Sequence, residues 1–168
     1  MTRTNLSLVA TLIFLFLVNP DCQRTPEKVL SGDNTPIFPR GEAAPAEFFT
    51  GTAWVTGLVK PDSVFTTAAG SVLFEPGARS NWHLHPCGQI LLVTAGVGYH
   101  QIKGQAIEII RKGDVIRCPP DVLHWHGASR DSSMSHIYLL PNTEKGMVVW
   151  QEPVSDEDYA NLNSPKSR

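Results

Sequence analysis

The sequence is poor in charge and in cysteine. Only 18% of its 168 residues are Asp, Glu, Lys or Arg, and they nearly cancel, to a net charge of −2, which excludes an electrostatic grip on nucleic acid. Three cysteines are too few for the disulfide framework that staples small secreted folds. For Cys87 and Cys118, sequence leaves open a mutual disulfide or two small buried residues. Long apolar runs are missing as well. The run from Leu6 to Val18, LSLVATLIFLFLV, falls short of the roughly 20 residues that cross a bilayer core as a helix. It reads as the apolar region of a secretory leader over residues 1–22, with export to the periplasm or the extracellular space. Cys22 stands where a lipoprotein cysteine would, although Asp21 before it fits a lipobox poorly, and an uncleaved membrane anchor is the remaining option.

Helical periodicity is scarce. Only SDEDYANL at 155–162 suggests a helix, with Ser155 as N-cap and acids in the first turn. Glycine and proline are plentiful, 13 of each, and they punctuate short apolar or alternating runs. The runs at 52–59, 64–75, 81–85, 89–96, 98–103, 106–110, 114–118, 123–127 and 134–140 have strand lengths and strand spacing. An all-β sandwich or barrel is expected, with the chain divided into the leader, a Pro-rich linker or arm at 23–47, the barrel at 48–150 and a tail with a short helix at 151–168. The arm is expected to drape over this domain or over a neighbouring subunit.

Five of the six histidines fall in apolar strand contexts. Side chains on a strand alternate faces, so His83 and His85 share a side, as do His124 and His126, while His136 aligns with Tyr138. Burying so many imidazoles without a function would demand a hydrogen-bond partner for every ring. A metal removes that demand, because a neutral imidazole gives one nitrogen to the ion and its other N–H to a nearby acceptor. His100, in GYHQIK, is read as a surface or hairpin residue outside the site. Trp82 and Trp125 are expected on the outer surface, where they and the arm would serve a homodimer or larger homo-oligomer.

The stretch Gly77, ARSNW, His83, Leu84, His85, PCG, Gln89, ILLVTA, Gly96 resembles the first sequence motif of the cupin family, a Gly, five residues, His-x-His, a carboxylate and a further Gly. Gly113, DVIRC, Pro119, two residues, VL and His124 resemble the second. Gln89 replaces the usual Glu, and Asp121 and Ala128 stand where Gly and Asn are common. The segments SVLFEPGARSNWHLHPCGQILLVTAGVG, HWHGA and VSDEDY are similar to the small single-domain bacterial cupins that include the cupin (R)-mandelonitrile lyases, among which Gln at this position is usual. The resemblance implies a jelly-roll (double-stranded β-helix) barrel. It also implies metal ligands His83, His85, Gln89 and His124, pocket histidines His126 and His136 as the catalytic pair, and Val72, Tyr138 and Leu140 as pocket walls.

A neutral amide in place of a carboxylate leaves the charge of a divalent ion uncompensated and so strengthens it as a Lewis acid. Imidazole and oxygen ligands suit Mn, Fe, Co, Ni or Zn, and the resemblance favours Mn or Fe. The expected activity is a metal-dependent lyase acting on small hydroxynitriles or aldehydes, with His126 as base if its pKa lies near ~6.5. A dioxygenase, an isomerase, a decarboxylase and a non-catalytic small-ligand-binding barrel are the alternatives. The expected partner is a small-molecule substrate, with no nucleic acid and no membrane contact beyond an N-terminal anchor.

Overall fold

The computed structural model of the chain describes residues 35–161; the expected leader at 1–22 with Cys22, and the first part of the arm, lie outside the described residues. Twelve strands follow one another among them: β1 Glu42–Ala43, β2 Phe49–Thr50, β3 Ala53–Val59, β4 Ala68–Phe74, β5 Arg79–Ser80, β6 His83–Leu84, β7 Gln89–Ile102, β8 Glu108–Arg111, β9 Val115–Cys118, β10 His124–Ala128, β11 Met134–Leu140 and β12 Val149–Trp150. A helix, α1 Asp156–Ala160, closes the described chain. Ser155 caps it, its hydroxyl accepting from the Asp158 amide at 3.0 Å. The fold is the expected all-β one, and its strands are antiparallel throughout, joined into one curled sheet in the order β1-β3-β4-β11-β7-β10-β5-β2.

β7 is the pivot. Where sequence suggested two strands, 89–96 and 98–103, there is one strand of 14 residues. Its first half pairs with β11 and β9, and its second half with β10 and β8. Between them the register shifts: Val93 faces His136 and Ala95 faces Ser135, which leaves Thr94 without a partner. One extra residue in a strand bends it and exchanges the faces of everything beyond. Residues 89, 91 and 93 therefore point inward before the bulge, and residues 96, 98 and 100 after it.

Close approaches shape the interior. A Cβ on Gly70 would lie 2.4 Å from the Tyr138 hydroxyl oxygen, so the bare β4 backbone at this point makes room for the Tyr138 ring. Around it, Ala53, Val72, Phe74, Val93, Ile110 and Met134 form the main core. The described part of the arm lies on its own domain: β1 pairs with β3, and the Arg40 guanidinium stacks 4.7 Å from the Trp54 ring centre while bonding Glu75 at 2.8 Å.

The two tryptophans expected at the surface are buried, Trp125 completely and Trp82 to within 5%. They do face away from the barrel interior. Residues of the C-terminal tail, Val154 and Tyr159, cover them together with Tyr99 and Ile107. The reason is legible in the contacts, since Arg79 reaches out from β5 to bond Asp156 at 2.6 Å and the Val154 carbonyl at 3.0 Å, and Tyr159 donates its hydroxyl to the Ala128 carbonyl at 2.9 Å. Cys87 and Cys118 are both free and buried.

Candidate metal centre and cavity

Three short elements bring the histidines together. β6 supplies His83, the turn after it His85, and β10 supplies His124 directly opposite His83 in the antiparallel register. The rings of His83 and His124 lie 4.4 Å apart, those of His83 and His85 5.0 Å, and those of His85 and His124 5.5 Å.

Each ring is held by a backbone carbonyl. His83 Nδ1 lies 2.9 Å from the Asn81 carbonyl oxygen and His124 Nδ1 2.9 Å from that of Val122, while His85 Nδ1 contacts the Met147 carbonyl. A carbonyl only accepts, so each Nδ1 carries the proton and each Nε2 presents a lone pair. One ligand atom from each of the three rings falls within 4.8 Å of the others. Among the described residues, His85 Nε2 is buried with no hydrogen-bond partner, and His124 Nε2 faces Gln89 Oε1 at 3.2 Å. As the amide is oriented, two lone pairs confront one another in a buried site, an arrangement that a cation relieves. The donor set thus fits a divalent metal, with His83, His85, His124 and Gln89 as the residues that would hold it.

Burial keeps the whole array neutral. It is the main cause that lowers His83, His85 and His126, takes His124 down to about 3 and His136 to about 4, with neighbouring imidazoles adding to the effect for His83, His124 and His126. The condition set for His126, a pKa near the solution value, is therefore not met: in this apolar enclosure its protonated form is strongly disfavoured. His126 and His136 stand edge to face at 4.9 Å, and Phe74 packs on both. Among the described residues, His126 Nδ1 and both nitrogens of His136 are buried without a hydrogen-bond partner.

The surface placement allowed for His100 is corrected, while its place in a hairpin holds, since it pairs with Glu108 across β7 and β8. It is buried, directly opposite His126 in the β7–β10 register and 5.8 Å from the His124 ring. The bulge at Thr94 put it inside. Its Nε2 lies 3.6 Å from the Cys118 thiol and its Nδ1 3.4 Å from Glu108. Burial lowers His100 against the pull of Glu108 and pushes the Cys118 thiol up to about 12.

A cavity of about 270 Å³ opens over the histidines, below the range of pockets for drug-sized ligands and suited to a small molecule. His83, His85, Gln89, His126 and His136 line it, and so do Val72, Tyr138 and Leu140. The reading of the sequence missed its outer wall, built by Phe48, Phe49, Met147 and Trp150. Phe48 and Trp150 stack at 4.7 Å, Phe49 meets Trp150 edge-on at 5.7 Å, and the indole lies 4.9 Å from the His83 ring. Phe48 and Met147 lie outside the strands, and the strands of Phe49 and Trp150 have two residues each, too few to show alternation.

Similarity to known proteins follows the same region. The family profile for the cupin domain matches residues 70–139. An (R)-mandelonitrile lyase from Granulicella tundricola is 44% identical over 115 residues, 68% of this chain and 88% of that protein. The crystal structure of a cupin-like protein from Thermotoga maritima superposes with a TM-score of 0.75 at 44% identity, covering 79% of this chain and all of that one. A DMSP lyase from Ruegeria pomeroyi shares the fold alone, with a TM-score of 0.52 at 18% identity over 66% of this chain and 55% of that one.

Proposed function

We propose, from the premise that this chain belongs to the cupin family, that it is a metal-dependent lyase cleaving small 2-hydroxynitriles to an aldehyde and hydrogen cyanide. The observation that carries the reading is the three imidazole lone pairs converging beside two unpartnered buried histidines at the floor of an apolar cavity. The (R)-mandelonitrile lyase at 44% identity supports the choice of reaction. A divalent ion held by His83, His85, His124 and Gln89 would supply Lewis acidity undiminished by any ligand carboxylate. Mn or Fe is the proposed metal.

The residues of the chain do the rest. Phe48, Phe49, Trp150, Val72 and Leu140 seat an aryl or alkyl group and exclude water, which strengthens every polar interaction inside. His126, neutral at physiological pH, accepts the proton of the substrate hydroxyl. As the O–H electrons form the carbonyl, the bond to the nitrile carbon breaks and its electron pair leaves with cyanide. The proton on His126 then passes to cyanide, so aldehyde and hydrogen cyanide depart and the imidazole is neutral again. His136, in contact with His126, keeps the ring oriented and shares the proton. The reading also takes residues 1–22 as an export leader and the protein as a homodimer.

The test is cleavage of (R)-mandelonitrile by the purified, metal-analysed protein, followed by benzaldehyde absorbance in air and under argon. Turnover is expected in both atmospheres, lost with a chelator and restored by Mn or Fe. His126→Ala should lower kcat/KM by at least ~100-fold with the metal content unchanged. Strict dependence on oxygen would replace the lyase with a dioxygenase.

A further inference from the structure

The three metal-facing imidazoles are not anchored alike. His83 and His124 give their Nδ1 protons to carbonyls two residues earlier in the chain, Asn81 and Val122. His85 relies on the Met147 carbonyl, 62 residues away. That carbonyl belongs to the segment forming the outer wall of the cavity, where Met147, Val148 and Trp150 all line the space. The segment leaves Gly146, at φ +106°, and enters β12.

β12 is also what flanks the first histidine. β6 has only two residues and lies between β10 on one side and β12 on the other, with Trp150 opposite His83. The strap continues past β12, the Gln151 amide donating to the Trp82 carbonyl at 2.8 Å and the Trp82 amide to the Glu152 carbonyl at 3.0 Å. The Trp150 ring sits between Phe48, stacked at 4.7 Å and 12°, and His83 at 4.9 Å. One side of the imidazole pair is therefore positioned by residues far outside both histidine motifs.

We propose that the Met147 carbonyl and the Trp150 side chain are positioning groups for the His83–His85 half of the metal centre, the wall strap of the cavity being at the same time the clamp on its ligands. The inference rests on reading these histidines as ligands. The physical ground is that an imidazole ligates well only while its other N–H is held by an acceptor, and removing such partners costs about 10–100-fold in metal affinity. Trp150 acts one step further out. Its stack with Phe48 fixes the strap, and the strap fixes the carbonyl that orients His85.

The experiment is a Co²⁺ titration of the full-length, metal-free protein, reading affinity and the visible absorption bands that report the ligand set. Trp150→Ala should weaken Co²⁺ binding about tenfold or more and alter the bands. Trp150→Phe, which retains a ring to stack on Phe48, should restore most of both, and Trp150→Leu should fall between. Melting of the metal-free variants identifies any that do not fold; if Ala fails, the Leu and Phe pair decides the matter. Wild-type affinity and an unchanged spectrum in the Ala or Leu variant would overturn the proposal. Failure of the wild type to bind Co²⁺ would overturn it together with the metal centre, whereas binding without mandelonitrile cleavage would overturn the lyase reaction alone.

Discussion

Gln89 contributes an uncharged oxygen beside His124 where a carboxylate would offset one of the two positive charges of a divalent ion. Gln89→Glu keeps the reach and the oxygen and adds the charge. It should tighten metal binding roughly tenfold and slow mandelonitrile cleavage by a similar factor, as chelator competition and initial rates would show. Tighter metal with an unchanged rate would mean that the charge of the centre is not what drives the reaction. His136 carries a second prediction. Burial takes its pKa to about 4, whereas an unfolded chain holds histidine near 6.5. Below pH 6.5 the unfolded state gains a proton that the folded state refuses, so stability is whole above that pH, falls as pH drops, and levels off near 4. The ring accounts for on the order of 3 kcal/mol between pH 7 and 4. Urea unfolding of the metal-free protein across this range should show the slope, and His136→Phe should flatten it by one proton.

At the scale of elements, β7 explains both the success and the failure of the sequence reading. The apolar run ILLV identifies a strand, and the pairs HLH and HWH identify inward faces because a two-residue period survives wherever a strand is regular. The period does not survive a bulge. Thr94 carries no bulge signature of its own, so His100 was placed outside although the structure sets it opposite His126. Gly96, just past the bulge, is where this turn of the strand is enforced. It adopts φ +72°, and a Cβ there would stand 1.9 Å from the Ser133 carbonyl oxygen. A left-handed backbone alone costs a non-glycine residue about 1–3 kcal/mol, and the backbone clash adds to it. Gly96→Ala is therefore expected to lose at least about 3 kcal/mol in denaturant unfolding. A milder loss would mean that the bulge can migrate, and the histidine faces with it.

Over the whole molecule, legibility followed the reach of the interactions. Residues 77 to 128 hold the two motifs that carry the family resemblance, which implied His83, His85, Gln89 and His124 as metal ligands, and the structure gathers the three imidazoles within 4.8 Å of one another. Phe48, Met147 and Trp150 join the site through contacts made across the fold, and no local pattern marks them. The tryptophans are the same lesson on the outer face, since apolar residues pointing away from a barrel fit a subunit interface as well as a cover from the same chain. Here the cover is the tail, and it sits on the back of the strand that carries His124 and His126. Trp125 lies between these histidines in sequence with its indole under Tyr159 at 5.8 Å, and the Tyr159 hydroxyl holds the Ala128 carbonyl at the end of β10. Ending the chain at Pro153 removes Val154 and Tyr159 and strips Arg79 of its partner Asp156. Deleting packed side chains of this size costs about 2–5 kcal/mol each, and for a domain of this length the melting temperature should fall by at least about 10 °C. The truncated protein should also bind a hydrophobic dye at the uncovered Trp82, Tyr99 and Trp125. Because β10 loses its backing, the truncation should weaken metal binding as well as the fold. A truncated protein that melts with the full-length chain would mean that the tail rests on the barrel without sealing it.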